Sequence, residues 1–268
     1  MSSTLADYMM IANNQDRYQT LTANEPMVKA QTEYYQANIA NVKTPSDLVN
    51  NYRLFSYVMT AYGLGDMISY GKGEIQKIME EGTSDGSSLV YKLNNPQIMA
   101  LAQTFDFQTN GTDTTQMDPA KNGVVNSYYE QTLESDQGQT NPGVQMALHF
   151  QAHASDITSA YNILADKSLL NVVETALGIS QYISYEDIDT QAKLITGDLQ
   201  NAGYAISDFQ DPAKVQKFVE RFSVMYDASG ANTSLSSLVP NAVLDTSGGT
   251  STFSSSLLSS IQGLSFGG

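Results

Sequence analysis

The stretch HFQAH places the chain's two histidines, His149 and His153, four residues apart. On an α-helix this spacing puts both imidazoles on one face, where they make half of a metal site. Asp156 follows one helical turn later and is the candidate third ligand. The zincin pattern requires a glutamate directly after the first histidine, and Phe150 stands there instead. An accidental pair of packed histidines is therefore the alternative interpretation.

A second polar cluster, Glu186, Asp187 and Asp189, follows the segment ISY. EF-hand spacing is absent, because the central glycine and the terminal bidentate glutamate are missing. Acidic side chains stabilise the first turn of a helix through its macrodipole, so we interpret this cluster as a helix start. Tyr70 and Tyr185 close two similar ISY segments, and we expect each hydroxyl to reach a helix cap or water at a junction.

The common nucleotide-binding motifs do not occur in the sequence. The P-loop and G-x-G-x-x-G are both absent, and Gly71-Lys72-Gly73 is too short to cradle a phosphate. The chain has no cysteine, which excludes disulfides, thiolate catalysis and iron–sulfur clusters. We therefore assign no catalytic residue, no cofactor, no cofactor-binding residue and no metal ligand, and we expect a non-enzymatic protein.

Charge and hydropathy restrict the partners. Thirteen basic residues face twenty-eight acidic ones, giving a formal net charge of -15. Such a chain repels phosphate backbones and anionic membrane surfaces, so we expect no nucleic-acid partner. No run approaches eighteen apolar residues, and the first thirteen residues lack the basic and apolar regions of a Sec signal peptide. We expect no membrane insertion and a protein partner, with the oligomeric state left open.

Two similar segments, AYGLGDMISY at 61–70 and ALGISQYISY at 176–185, lie 115 positions apart. The match continues at this offset through mostly apolar positions, as in a repeated core, whereas a repeated active site would retain polar groups. We predict two related helical repeats, at 30–107 and 145–228. In this alignment His149 falls on Tyr34 and His153 on Asn38, which argues against a metal site.

Helical periodicity dominates both repeats, so the predicted fold class is all-α. Thr44, Asn95 and Asp211 each precede a proline, as an N-cap does when proline takes the first helical position. Gly63 and Gly178 follow the ends of apolar stripes, where a left-handed residue closes a helix. Apolar positions of the last helix form its predicted buried stripe: Val215, Phe218, Val219, Phe222 and Met225. The segment 205–209 is the one weak candidate for extended structure.

The remaining segments are polar. We predict an N-terminal segment at 1–29, a linker and helix at 108–144 containing the turn-rich stretch 108–122, and a Ser/Gly-rich tail at 229–268. Both termini are expected to be flexible. Apolar spacing in Met1–Thr22 and in Ser251–Leu264 suggests amphipathic helices that order against a partner.

Long stretches of the sequence resemble a bacterial family catalogued as domain of unknown function 1217. The segments that carry the resemblance are HFQAHASDITSAYNILADKSLLNVVETALGIS, DIDTQAKLI and DFQDPAKVQKFVERF in the second repeat. In the first repeat they are NIANVKTPSDLVNNYRLFSYVMTAYGL and KIMEEGTSDGSSLVYKLNN. The resemblance implies a mostly helical, uncharacterised protein without established catalytic residues, often encoded among flagellar genes of alphaproteobacteria.

The function we expect is a structural, assembly or export-associated component of the bacterial flagellum, with flagellar proteins as partners. Its location would be cytoplasmic or flagellum-associated, reached by export without a cleaved signal peptide. The alternative is a cytoplasmic helical module that binds a small ligand or a partner protein. A third possibility is a metal-dependent enzyme at His149 and His153.

Overall fold

The structure, a computed structural model, describes residues 3–229, and within this range the chain is helical and contains no β-strand. The all-α prediction is confirmed. The α-helices are α1 Thr4–Ala12, α2 Gln15–Ala23, α3 Pro26–Asn38, α4 Pro45–Asn50, α5 Tyr52–Ala61, α6 Lys72–Glu81, α7 Leu89–Leu93, α8 Pro96–Thr104, α9 Phe107–Asn110, α10 Val124–Thr140, α11 Pro142–His153, α12 Ala160–Ala165, α13 Lys167–Leu177, α14 Ile188–Asn201 and α15 Pro212–Ala228. The predicted tail at 229–268, with its proposed helix Ser251–Leu264, lies outside the described residues except for Ser229.

Short 3₁₀ turns connect many of these helices. One of them, Ile206–Gln210, covers the segment that looked weakly extended in the sequence. None of the described helices combines the length and the apolar character that crossing a bilayer requires.

Apolar side chains of the described residues form two separate cores. The first core is built by helices α3 to α8 and the start of α10, with Tyr35, Phe55 and Phe105 fully buried. The second core is built by α11 to α15, with Phe150 and Phe218 stacked at 5.3 Å between ring centroids. The two predicted repeats therefore bury apolar surface in separate cores.

Helix α10 belongs to both cores. Val124 and Val125 near its start are buried in the first core, and Leu133, two turns later, is buried in the second. The same helix packs along α5 on one side and α11 on the other. Polar residues of α10 that lie between these contacts consequently face the boundary between the repeats.

The N-terminal segment folds against the second core. Tyr8 and Ile11 of α1 are buried there, between α11 and α15. The Asp227 carboxylate accepts hydrogen bonds from the Ser3 hydroxyl at 2.8 Å and from the Thr4 backbone amide at 3.0 Å, next to the positive end of the α1 dipole. The expectation that residues up to Thr22 stay unfolded until a partner binds is corrected for α1, because the chain itself supplies the apolar surface.

The turn-rich stretch 108–122 is also folded. Thr114 and Thr115 are fully buried, and the Thr115 hydroxyl donates to the Val42 carbonyl at 2.8 Å. Gln116 donates to the carbonyl of Ala40 at 2.8 Å. These polar side chains satisfy backbone groups of the first repeat, so the predicted linker closes the first core.

Local start and stop signals act as the sequence predicts. Thr44 and Asp47 form a capping box on α4, and Asn95 and Asp211 cap α8 and α15. One detail of the α15 stripe is wrong. Tyr226 is buried in the core and Met225 is exposed, since the buried face turns by one residue at the end of the helix.

The two repeats present their elements in the same order. Helices α4, α5, α6 and α8 begin 115 or 116 positions before α12, α13, α14 and α15. Gly63 and Gly178 have φ values of +68° and +69°, in the left-handed region that glycine adopts at low cost. After each glycine an amide donates back to the helix at 2.8 Å, Leu64 to Met59 and Ile179 to Glu174. A duplication would produce this order, and common descent of the repeats stays a prediction.

Candidate functional site

His149 lies between two carboxylates that come from different parts of the chain. Its Nδ1 is 3.1 Å from Oε2 of Glu134 on α10, and its Nε2 is 2.9 Å from Oδ2 of Asp166. The side chains are 12%, 6% and 5% exposed for His149, Glu134 and Asp166. Three ionisable groups thus share one nearly dry position at the boundary of the two repeats.

Asp166 is fixed by its place before α13. Its Oδ1 accepts hydrogen bonds from the amides of Ser168 at 2.8 Å and Leu169 at 3.0 Å, which makes it the N-cap of this helix. Its Oδ2 accepts from His149 and from the side-chain amide of Gln97 on α8. Every lone pair of the carboxylate therefore has a partner, and His149 meets a rigid acceptor.

The pKa values of His149 and Asp166 shift in opposite directions. Burial by itself would lower the pKa of His149, but hydrogen bonds to Asp166 and Glu134 outweigh burial and raise the pKa to about 10. Burial would raise the pKa of Asp166, and the hydrogen bond from His149 prevails, so the pKa falls to about 2. At neutral pH the metal-free protein therefore holds an imidazolium against a carboxylate.

His153 stands one helical turn after His149 on the same face of α11. The two ring centroids are 4.4 Å apart, and the side chain of His153 is half-buried. Its Nδ1 lies 3.5 Å from Oδ2 of Asp156. Glu130 lies one turn before Glu134 on α10, and its pKa is raised by burial and by the Glu134 charge. Two imidazoles and several carboxylates converge here.

A cavity of about 270 Å³ opens beside these groups, and a second of about 500 Å³ adjoins it. Gln97, Gln131, Glu134 and Asp166 line both of them. The walls come from α5 and α8 of the first repeat, from α10, and from α11 to α13 of the second repeat. Because several side chains on the wall end in carboxylates, the cavity suits a cation or a ligand that donates hydrogen bonds.

The sequence located the histidine pair and missed its environment. His149 is half-buried, and a carboxylate lies beside each of its ring nitrogens. The third possible ligand beside the two histidines is Glu134, fifteen residues before His149, whereas the candidate Asp156 approaches only His153. No local spacing signals this contact, because Glu134 lies on a different helix.

The acidic cluster after ISY forms a helix start, as interpreted from the sequence. Asp187 is the N-cap of α14, accepting from the Thr190 amide at 3.0 Å. Asp189 sits in the first turn and accepts from the hydroxyl of Tyr161 at 2.8 Å. Glu186 is exposed. These carboxylates stabilise a helix end and leave negative charge on the surface beside it.

Next to these acids lies an exposed aromatic surface, which we call the tyrosine face: Tyr182, Tyr185 and Ile188. Tyr182 is 77% exposed and Tyr185 is 85% exposed, with ring centroids 6.2 Å apart and planes 25° from parallel. Ile188 is also exposed. Among the described residues, the Tyr185 hydroxyl bonds no helix cap, and its exposure leaves it open to water, the other partner expected for it. The ring pair is presented outward.

Comparisons with known proteins agree with the fold. The family model described as "Protein of unknown function (DUF1217)" matches residues 32–215. A protein from Agrobacterium tumefaciens, a structural-genomics target, is 35% identical in sequence to this chain. Its crystal structure superimposes on this chain with a TM-score of 0.77. That match covers 85% of this chain and 97% of the Agrobacterium chain. None of the curated proteins matches the sequence.

Proposed function

This chain belongs to the DUF1217 family of proteins of unknown function, and from that premise we propose that it is a non-enzymatic component of the bacterial flagellum acting through protein–protein contacts. The resemblance to a family often encoded among flagellar genes supports the flagellar setting. The observation that carries the contact function is the tyrosine face. Exposed tyrosines are enriched in protein interfaces because the ring supplies contact area at low entropic cost and the hydroxyl remains solvated.

The partner we propose for the tyrosine face is a basic segment of another protein. Glu186, Asp187 and Asp189 directly follow the ring pair in the chain and are exposed, and the chain as a whole carries -15. A lysine or arginine of the partner would lie over a tyrosine ring and meet a carboxylate at its edge. The chain itself has such a contact, since the Arg53 guanidinium lies 4.0 Å from the centroid of the Tyr34 ring.

A pull-down from flagellated cells, combined with fractionation into cytoplasm, medium and basal bodies, tests this proposal. The test variant is Tyr182→Ser/Tyr185→Ser. The control is Tyr52→Ser, which removes a single exposed tyrosine from α5. We expect the wild type and the control to fractionate with flagellar structures, to capture the same protein and to support swimming.

The double variant should lose the captured protein and impair swimming. Wild-type protein confined to the cytoplasm, with normal swimming in a strain lacking it, would refute the flagellar role. Equal capture by the double variant would refute the tyrosine face as the contact surface.

A second candidate function is a cytoplasmic helical module that binds a small ligand, and the cavity between the repeats favours it. The cavity is formed by described residues of both repeats and has amide and carboxylate groups on its wall. Ala100→Phe on α8 would fill the cavity. A thermal-shift screen with small amines should then stabilise the wild type and leave this variant unchanged, whereas the absence of stabilisation in the wild type would remove the candidate.

A further inference from the structure

We propose that Glu134, His149 and His153 bind one divalent transition-metal ion of the Zn²⁺ class, with Asp166 holding His149 in the ligating orientation. This inference goes beyond the proposed function and does not depend on the tyrosine face or on a flagellar setting. The ligands come from α10 and α11, and the sequence assigned no metal ligand.

Distances between the donor atoms are close to those of a zinc site. One nitrogen from each histidine and one carboxylate oxygen of Glu134 lie within 4.8 Å of one another. Zn–N and Zn–O bonds of about 2.0–2.2 Å place the ligand atoms of a tetrahedron about 3.3–3.5 Å apart. Nδ1 of His149 is already 3.1 Å from Oε2 of Glu134. His153 has to close the remaining gap, and its half-buried side chain borders the cavity.

Asp166 supplies the orienting partner that metal-binding histidines usually have. A ligating histidine donates its other ring N–H to a carboxylate, which fixes the tautomer and makes the imidazole more basic. Nε2 of His149 is 2.9 Å from Asp166, and the amides of Ser168 and Leu169 hold that carboxylate in place. Nδ1 is then directed at Glu134, on the side where His153 stands.

The equivalent place in the first repeat is closed without these charges. There Tyr34 and Asn51 occupy the positions of His149 and Asp166, and the Asn51 side-chain amide donates to the Tyr34 hydroxyl at 3.1 Å. A neutral pair thus closes the same helix junction. Burying ionised groups costs free energy that a neutral pair avoids, so the charged set in the second repeat indicates a further role.

The cavity gives the ion a route to the site and leaves a position for a further ligand. His153, Glu130 and Asp156 line the 270 Å³ cavity together with Glu134. The carboxylates among these side chains raise the local concentration of cations. When the ion binds, it takes the place of the proton on Nδ1 of His149, and that proton leaves to solvent.

Titration of the full chain with ZnCl₂ tests the site. After treatment with EDTA and its removal, isothermal titration calorimetry at pH 7.5 should show one Zn²⁺ bound per chain. The variants His153→Asn and Glu134→Gln each remove one ligand, and each should weaken binding at least tenfold; His153→Asn installs the residue found at the equivalent position of the first repeat. Asp189→Asn on α14 is the control, and it should bind like the wild type. The chain holds only two histidines and no cysteine, so other imidazole or thiolate sites do not compete.

X-ray absorption of the Zn²⁺-bound wild type provides a measurement that does not depend on how the variants fold. Multiple scattering from two imidazoles is expected. The proposal is overturned if the wild type binds no stoichiometric Zn²⁺, if the spectrum lacks imidazole scattering, or if both folded variants bind within twofold of the wild type. Circular dichroism identifies any variant that has not folded.

Discussion

Two helix junctions at equivalent positions of the repeats are closed by different side-chain pairs. In the first repeat, Asn51 caps α5 and its side-chain amide is 3.1 Å from the Tyr34 hydroxyl on α3. In the second repeat, Asp166 caps α13 and lies 2.9 Å from His149 on α11. The backbone arrangement is shared, while one pair is neutral and the other is charged.

The charged junction requires more partners than the neutral one. Tyr34 is half-buried and has Arg53 over its ring, so water and a surface cation complete its environment. His149 carries a positive charge beside Asp166, and Glu134 on α10 supplies a second carboxylate. A buried charge needs such compensation because water no longer solvates it. The second junction therefore depends on α10, whereas the first depends mainly on its own repeat.

The largest expected effect is loss of the imidazolium. His149→Ala leaves Glu134 and Asp166 buried without their shared partner, which should lower the free energy of unfolding by about 3–5 kcal/mol. Tyr34→Phe, the matched change in the first repeat, removes a neutral hydrogen bond and should cost about 1 kcal/mol. Urea denaturation of both variants measures the difference. Equal losses would contradict the contrast between the junctions.

Exchanging the charged junction for the neutral one should recover most of this loss. The triple variant Glu134→Gln/His149→Tyr/Asp166→Asn installs the tyrosine and asparagine that the first repeat carries, and it replaces the α10 carboxylate with a neutral amide. Asparagine still caps α13, and no ionised group remains buried in the set. Its free energy of unfolding should lie within about 2 kcal/mol of the wild type. A triple variant as unstable as His149→Ala would mean that the second repeat specifically requires the charges.

Stability should depend on pH at the charged junction more than at the neutral one. In EDTA-treated protein, His149 faces Glu134 and Asp166, and His153 lies on the same helix as His149. The pKa of His149 rises from 6.5 to about 10 on folding, so the stabilisation from His149 is complete below pH 6.5 and is lost as pH rises through 10. The pKa of Asp166 falls from 3.8 to about 2, so its contribution is present above pH 3.8 and is lost as pH falls through 2.

Urea titrations from pH 6 to 10 should therefore show a decline in wild-type stability that is smaller in the triple variant. Parallel curves for the two proteins would contradict the assignment of this decline to His149.

A smaller effect is expected at the helix stops that the repeats share. Gly178→Ala forces a left-handed backbone on a residue with a side chain, and it should cost about 1 kcal/mol. A Cβ at position 178 meets no atom within 4 Å, whereas one at position 63 comes 3.0 Å from Gln131 Oε1. Gly63→Ala should therefore cost as much or more. Thermal denaturation of the two variants tests the order.

The smallest effect on stability is expected at the tyrosine face. Tyr182→Ser/Tyr185→Ser removes rings that are largely in solvent, so the free energy of unfolding should change by less than about 0.5 kcal/mol. Chemical denaturation checks this directly. A loss above 1 kcal/mol would show that the ring pair stabilises the fold and would weaken its interpretation as a contact surface.

Much of the fold could be predicted from sequence because helix starts and stops are local. Thr44, Asn95 and Asp211 cap helices through hydrogen bonds to amides two or three residues ahead. Apolar periodicity likewise identifies the buried face of a helix. The candidate site was only half predictable: the spacing of His149 and His153 is local, while Glu134 is brought to them by the packing of α10 on α11.

The sequence alone was enough to predict that this chain is helical, where several of its helices begin and end, and that the acidic residues after the second ISY start a helix. These features depend on backbone and side-chain interactions within a few residues. The packing of distant helices was needed to show that α1 fills the second core, that residues 108–122 close the first, and that His149 becomes a cation between Glu134 and Asp166. Those outcomes depend on which distant helices exclude water from each other, and no short-range pattern encodes that choice.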